Sequence, residues 1–233
     1  MLLYCNSDSY GVLSTTKNRY SDYLGELLQA DTIINNGLPG SCNARIIRTT
    51  VRDILDVRKD NSDSILAVVC LASMIRNEWW NLDKTLPNGF NDGYFESFQI
   101  HGVKNNQRLP CYHYTQEWYR HYNDEAEQTN LFKELIMLTS FFKQQKVNYI
   151  IFAGNNATYK LIDYQDVFIK SFSDHVHADP GILNLNDFSF TQYCLQHKHV
   201  PFDQDQWGIH GHHGESAHQD FAKFLFTQYN KIL

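Results

Sequence analysis

Four of the chain's eleven histidines, His210, His212, His213 and His218, fall within nine positions just ahead of a C-terminal helical pattern. Imidazole titrates nearest neutrality of all side chains, so the cluster suits either general acid–base work or metal binding. At the other end of the chain, Asp8 and Ser9 stand in a polar turn after the first apolar run. A serine hydroxyl with a histidine base is the pairing of acyl transfer, in which the base removes the hydroxyl proton during attack. The competing chemistry is a metal site built from His210 and His212 with Asp203, Asp205, His175 or His177. Arg76 and Glu78, two apart, form either an ion pair at a pocket wall or a helix start. His218, on a helix, suits capping or packing better than catalysis. Of the other three, one working residue with two solvated neighbours is expected.

These residues need a frame that joins the two ends of the chain. Leu2–Cys5 is a short apolar run, and Tyr20, Tyr23, Leu24, Leu27 and Leu28 repeat at helical spacing. A second strand is expected at 32–34, closed by Asn35-Asn36-Gly37-Leu38-Pro39-Gly40, and a second helix from Ala44 to Val57. Ile65–Leu71 is a continuous apolar run, as in a strand covered on both faces. This alternation predicts parallel α/β winding. A long helical pattern follows over 115–143, then a strand at 147–153. A helix or a buried segment is expected at 164–172, a short helix at 188–197, and a last helix at 215–229. The fold class expected is a three-layer α/β/α sandwich around a central, mostly parallel sheet, as one domain over 1–233 with an irregular insertion around 81–112. Ligands of such sheets bind beyond the carboxyl ends of the strands, where these polar turns would gather.

Composition narrows the partners. With 26 acidic against 20 basic side chains and a net charge of −6, a chain whose main affinity is for nucleic-acid phosphates is not expected. No run reaches the roughly eighteen apolar residues of a membrane span, and the N-terminus reads as a strand, not a signal peptide. Five scattered cysteines with no C-x-x-C suit reduced thiols in a cytoplasmic protein.

The ordered blocks along the chain resemble those of the SGNH (GDSL-type) hydrolase superfamily. Ser7-Asp8-Ser9 matches the first block, with serine in place of its glycine. Asn35 and Gly40 match the second, and Pro39-Gly40-Ser41-Cys42-Asn43 resembles a subgroup with an asparagine close behind that glycine. His212 and His218 match the last. The asparagine of the third block, due near Ala72-Ser73-Met74-Ile75, is absent, and the segment reads Ser73-Met74-Ile75-Arg76-Asn77-Glu78. The aspartate that usually precedes the histidine by three is also absent, that position being Ile209. The resemblance implies a serine esterase acting on a small-molecule or carbohydrate ester, without a cofactor. Ser9 would be the nucleophile, His212 the base, and Asp8 part of the catalytic turn. The oxyanion would be held by Ser9 and Gly40 N–H groups with the Asn43 amide, unless Asn77 or Arg76 fills that place, and Arg76 and Glu78 would bind substrate. Asp203 or Asp205 could orient the imidazole if the loop folds back. A metal-dependent hydrolase and a binding protein that kept the fold without the chemistry stand as alternatives.

Overall fold

The computed structural model describes residues 1–11, 18–60, 64–74, 76–80, 91–92, 95–99, 112–155, 167–204 and 211–233. Its centre is a parallel sheet of β1 (Leu2–Asn6), β2 (Thr32–Asn35), β3 (Ile65–Leu71) and β7 (Val147–Ala153) in the order β2-β1-β3-β7. β3 is buried along its whole length, as its unbroken apolar run requires. Successive side chains alternate between two cores. Ile65, Ala67, Val69 and Leu71 face a core shared with α2 (Asn43–Asp60), α4 (Asp124–Gln144) and α5 (Val167–His177). Leu66, Val68 and Cys70 face the other, shared with α1 (Tyr20–Leu28), α6 (Phe190–Gln196) and α7 (Glu215–Ile232). Helices thus cover both faces, and the expected three-layer α/β/α sandwich is observed.

Three local expectations are corrected. The pattern over 115–143 is two helices, α3 (Tyr112–Arg120) and α4, because Asn123 accepts the N–H of Ala126 (2.9 Å) and caps a new start. Arg76 and Glu78 begin no helix. They lie on β4 (Arg76–Trp80), which pairs antiparallel with β6 (Phe95–Gln99), itself paired to β5 (Asn91–Asp92). Part of the expected irregular insertion is therefore a small sheet. Cross-strand pairing sets it, and local periodicity does not announce it; the rest of 81–112, apart from Tyr112 at the head of α3, lies outside the described residues. Finally, β8 (Pro201–Gln204) and β9 (Gly211–His213) form an antiparallel pair just before α7.

Near the start of β7, buried Asp179 accepts Lys143 Nζ (2.8 Å), the Tyr149 hydroxyl (2.8 and 2.9 Å) and Gly181 N–H (3.0 Å). Burial opposes its ionisation, but these donors hold the carboxyl below its ordinary value of 3.8. A depressed acid contributes stability above its unfolded value and loses it as pH falls through the folded one. Asp179→Asn is expected to cost about 2 kcal/mol at pH 7. The deficit should begin to shrink as pH falls past 3.8 and be gone only below the lower folded value, as read from urea unfolding at several pH values. Cys5, Cys70 and Cys194 are buried, which raises each thiol above its usual range. Cys111 lies outside the described residues. No helix among the described residues is long and apolar enough to cross a membrane.

Candidate active site

The end of β1 is built to hold a tight turn. The Asn6 amide donates to Ile46 O (3.0 Å), Thr49 Oγ1 (2.8 Å) and Thr50 Oγ1 (3.0 Å), anchoring the strand end to α2. Asn6 Oδ1 accepts the N–H of Ser7 (2.9 Å). One residue on, Asp8 Oδ1 accepts Tyr10 N–H (3.1 Å) and its carbonyl accepts Gly11 N–H (3.3 Å), which closes a 3-10 turn over Ser9–Gly11. Gly11 is required there, since a Cβ would lie 2.1 Å from Ser7 Oγ. Ser9, first in this turn, is 8% exposed.

Asp8 is fully buried and bonded to Arg76, Nη1 to Oδ2 at 2.7 Å. The same Nη1 lies 3.4 Å from the carbonyl of Ser41. Arg76 therefore joins the residue before Ser9 to the residue after Gly40. Burial pushes the Asp8 carboxyl up from its ordinary value, while Arg76, the Tyr10 N–H and His212 pull it down. Gly40 has φ 83°, the left-handed region that favours glycine. Its loop is tied to the first turn by Leu38 N–H on Ser7 O (3.0 Å).

The β8–β9 pair brings His212 to this turn from the far end of the chain. Its ring lies 5.7 Å from that of Tyr10, and it acts electrostatically on Asp8. The register sets Asp203 opposite His212, with an irregularity between Pro201 and Asp203. Alternation then sends His213 the other way. It is fully buried, its ring edge-on to Phe190 at 5.7 Å, so it is not the solvated neighbour expected from sequence. His218 is buried as well. Its Nδ1 accepts the N–H of Tyr20 at the start of α1 (3.3 Å), and its ring stacks on Tyr20. That is capping and packing, as its place on a helix suggested.

Other expected site residues do different work. The Asn43 carboxamide is committed to the main chain of Ala72, donating to its carbonyl (3.0 Å) and accepting its N–H (2.8 Å). It clamps α2 to the end of β3, which leaves its amide at most one hydrogen for an oxyanion. Arg76 and Glu78 do not pair with each other. Glu78 takes both Nε (3.1 Å) and Nη2 (2.9 Å) of Arg48, so its carboxylate is bonded to α2. Asn77 turns its Oδ1 to the N–H of Glu78 (2.8 Å).

His177 packs against Phe132, in the core on the opposite face of the sheet from Phe190 and His213. Among the described residues, no three His, Cys, Asp or Glu side chains are grouped to hold a metal. His210, Asp205 and Ile209, and the side chains of Asp203, Trp79 and Trp80, lie outside them. Tyr10 was missed by sequence reading. Burial and the charge of Asp8 push its hydroxyl up to about 12, and Asn155 Nδ2 donates to it (3.4 Å). Its adjacency to Ser9 and the position of Asn155 just past β7 were the available signals.

The sequence profile of a family of unknown function, DUF6071, matches residues 11–178. No curated protein matches the chain. Among solved structures, a protein assigned to the G-D-S-L lipolytic family from Desulfitobacterium hafniense DCB-2 is 10% identical, with 97% of this chain and 98% of that one covered at a TM-score of 0.51. An acetyl xylan esterase, AlAXEase, is 13% identical, covering 97% and 98% at a TM-score of 0.47. The psychrotrophic esterase EstA from a Pseudoalteromonas species is 13% identical, covering 99% and 96% at 0.45. At such identities the likeness is one of fold, and the fold is the SGNH hydrolase type that the ordered blocks implied.

Proposed function

The chain belongs to DUF6071, a family of unknown function, and from its site we propose that it is a serine-dependent ester hydrolase. Ser9 Oγ attacks the ester carbonyl while His212 takes its proton. The tetrahedral intermediate expels the alcohol, which receives that proton, and leaves an acyl-Ser9. Water, deprotonated by His212, attacks the acyl carbon and releases the carboxylic acid with Ser9 restored. Asp203, the backbone register partner of His212, is the acid assigned to the imidazolium. The absent aspartate of the last block is thereby replaced from a neighbouring strand.

The oxyanion is assigned to the N–H groups of Ser9 and Gly40 and to the Arg76 guanidinium. Arg76 is assigned the place of the missing asparagine; one Asn43 amide hydrogen is held by the Ala72 carbonyl, and Asn77 turns its Oδ1 to the Glu78 N–H. The observation that carries the reading is the meeting of His212, the turn bearing Ser9, and an arginine bridging Asp8 to Ser41. A fluorophosphonate probe tests it, since the probe forms a bond only to an activated hydroxyl. Peptide mapping of the wild-type protein is expected to find the adduct on Ser9, and labelling should slow at least tenfold in His212→Gln. An adduct elsewhere, or none, overturns the reading in favour of a binding protein on this fold.

A further inference from the structure

Resting on the ester-hydrolase reading, we propose that the groove between α2 and α4 holds the substrate's acyl chain, so that the preferred esters carry a medium-length apolar acid. Two compartments meet at Ala44 and Glu134, which line both. The first, about 180 Å³, is polar and bounded by Asn43, Arg76, Asn77 and Glu127. Arg76, which lines it, bonds Asp8, the residue before Ser9. The second, about 530 Å³, leads away between the two helices and is walled mainly by Ile47, Val51, Met137, Leu138 and Phe141, with the mutually paired Arg48 and Glu78 also on its lining.

Ile47 and Val51 follow Ala44 by three and seven, and Met137, Leu138 and Phe141 follow Glu134 by three, four and seven. Each set makes one helix face. Such stripes normally close on each other, yet Met137 stays 66% exposed, and Leu55, one turn beyond Val51, is 44% exposed. From Ala44 to Leu55 the helix rises about 17 Å. The volume lies within the range of ligand pockets, which are mostly apolar with a few polar groups at one end. A polar compartment that shares Arg76 with the site and a mostly apolar bore running away from it suit an ester head with a hydrocarbon tail. Met137 at the rim supplies a side chain that adapts to differing chains. Burial raises the Glu127 and Glu134 carboxyls above their ordinary value, consistent with walls poor in water.

The test is a series of p-nitrophenyl esters from acetate to butyrate, hexanoate and octanoate. For the wild type, kcat/KM is expected to rise about two- to fourfold per methylene buried. In Ala44→Trp, and in Met137→Glu at an exposed position that tolerates charge, the octanoate-to-acetate ratio should fall at least tenfold. A flat series in a protein that Ser9→Ala inactivates overturns the groove and leaves the hydrolase intact. If Ser9→Ala keeps its rate, the hydrolase reading fails, and equilibrium dialysis of decanoate then decides the groove. Saturable binding lost in Met137→Glu supports it, and absence of binding overturns it. A dimer in sedimentation that Met137→Glu dissociates would assign the groove to a second copy and also overturn the proposal.

Discussion

Ser9→Ala is expected to hydrolyse p-nitrophenyl esters about 10⁴- to 10⁶-fold more slowly than the wild type in kcat. In the proposed mechanism, removal of the hydroxyl deletes the group that would make the acyl intermediate, while the assigned oxyanion donors stay. The loss should come without unfolding. The turn is held by Asn6, Asp8 and Gly11, none of which uses the Ser9 hydroxyl, so the melting temperature should move by only a few degrees. Asp203→Asn should fall short of this, by about 10⁴ at most, because an acid that orients the base acts through it. A Ser9→Ala protein with the wild-type rate sinks the mechanism. An Asp203→Asn protein with that rate sinks only the assignment of the acid.

Arg76→Met is expected to lower both kcat and stability, for two separable reasons. As an oxyanion donor its loss should cost about 10²- to 10³-fold in kcat. As the partner of a fully buried carboxylate, its loss leaves Asp8 uncompensated, which costs about 3 kcal/mol. The double variant Asp8→Asn/Arg76→Met separates them. A neutral amide restores most of the stability, whereas kcat should stay low. If kcat returns as well, Arg76 serves only to balance Asp8. The pH dependence has a definite sign. Burial already raises the Asp8 carboxyl, and removal of Arg76 takes away its largest opposing influence. An acid raised in the fold stabilises it when protonated and loses that contribution as pH rises. The Arg76→Met deficit should therefore be largest near neutrality and shrink toward acid pH, as urea midpoints would read.

Much of this was legible in the chain because it depends on local pattern. The unbroken run Ile65–Leu71 needs helices on both faces, and residues of β1 and β3 alternate between the two cores as strand geometry demands. A serine turn after the first strand and a histidine before the last helix follow from the same reading. What could not be read is partnership between residues far apart. Arg76 lies two residues from Glu78, yet it bonds Asp8 at a separation of 68, and Glu78 bonds Arg48 at a separation of 30. Both follow from a strand, where the sequence suggests an ion pair or a helix start.

The histidine cluster shows the division most clearly. The sequence by itself determined that a base-forming residue precedes the final helix and that no aspartate stands three places before it. Only the tertiary structure decided the rest. Pairing of β8 with β9 turns His212 toward Tyr10 and Asp8, and alternation drives His213 into the core. Packing of α7 against α1 makes His218 a cap. Strand register, which sets Asp203 opposite His212, depends on backbone pairing between β8 and β9 and on an irregularity between Pro201 and Asp203. No local propensity in the chain encodes either.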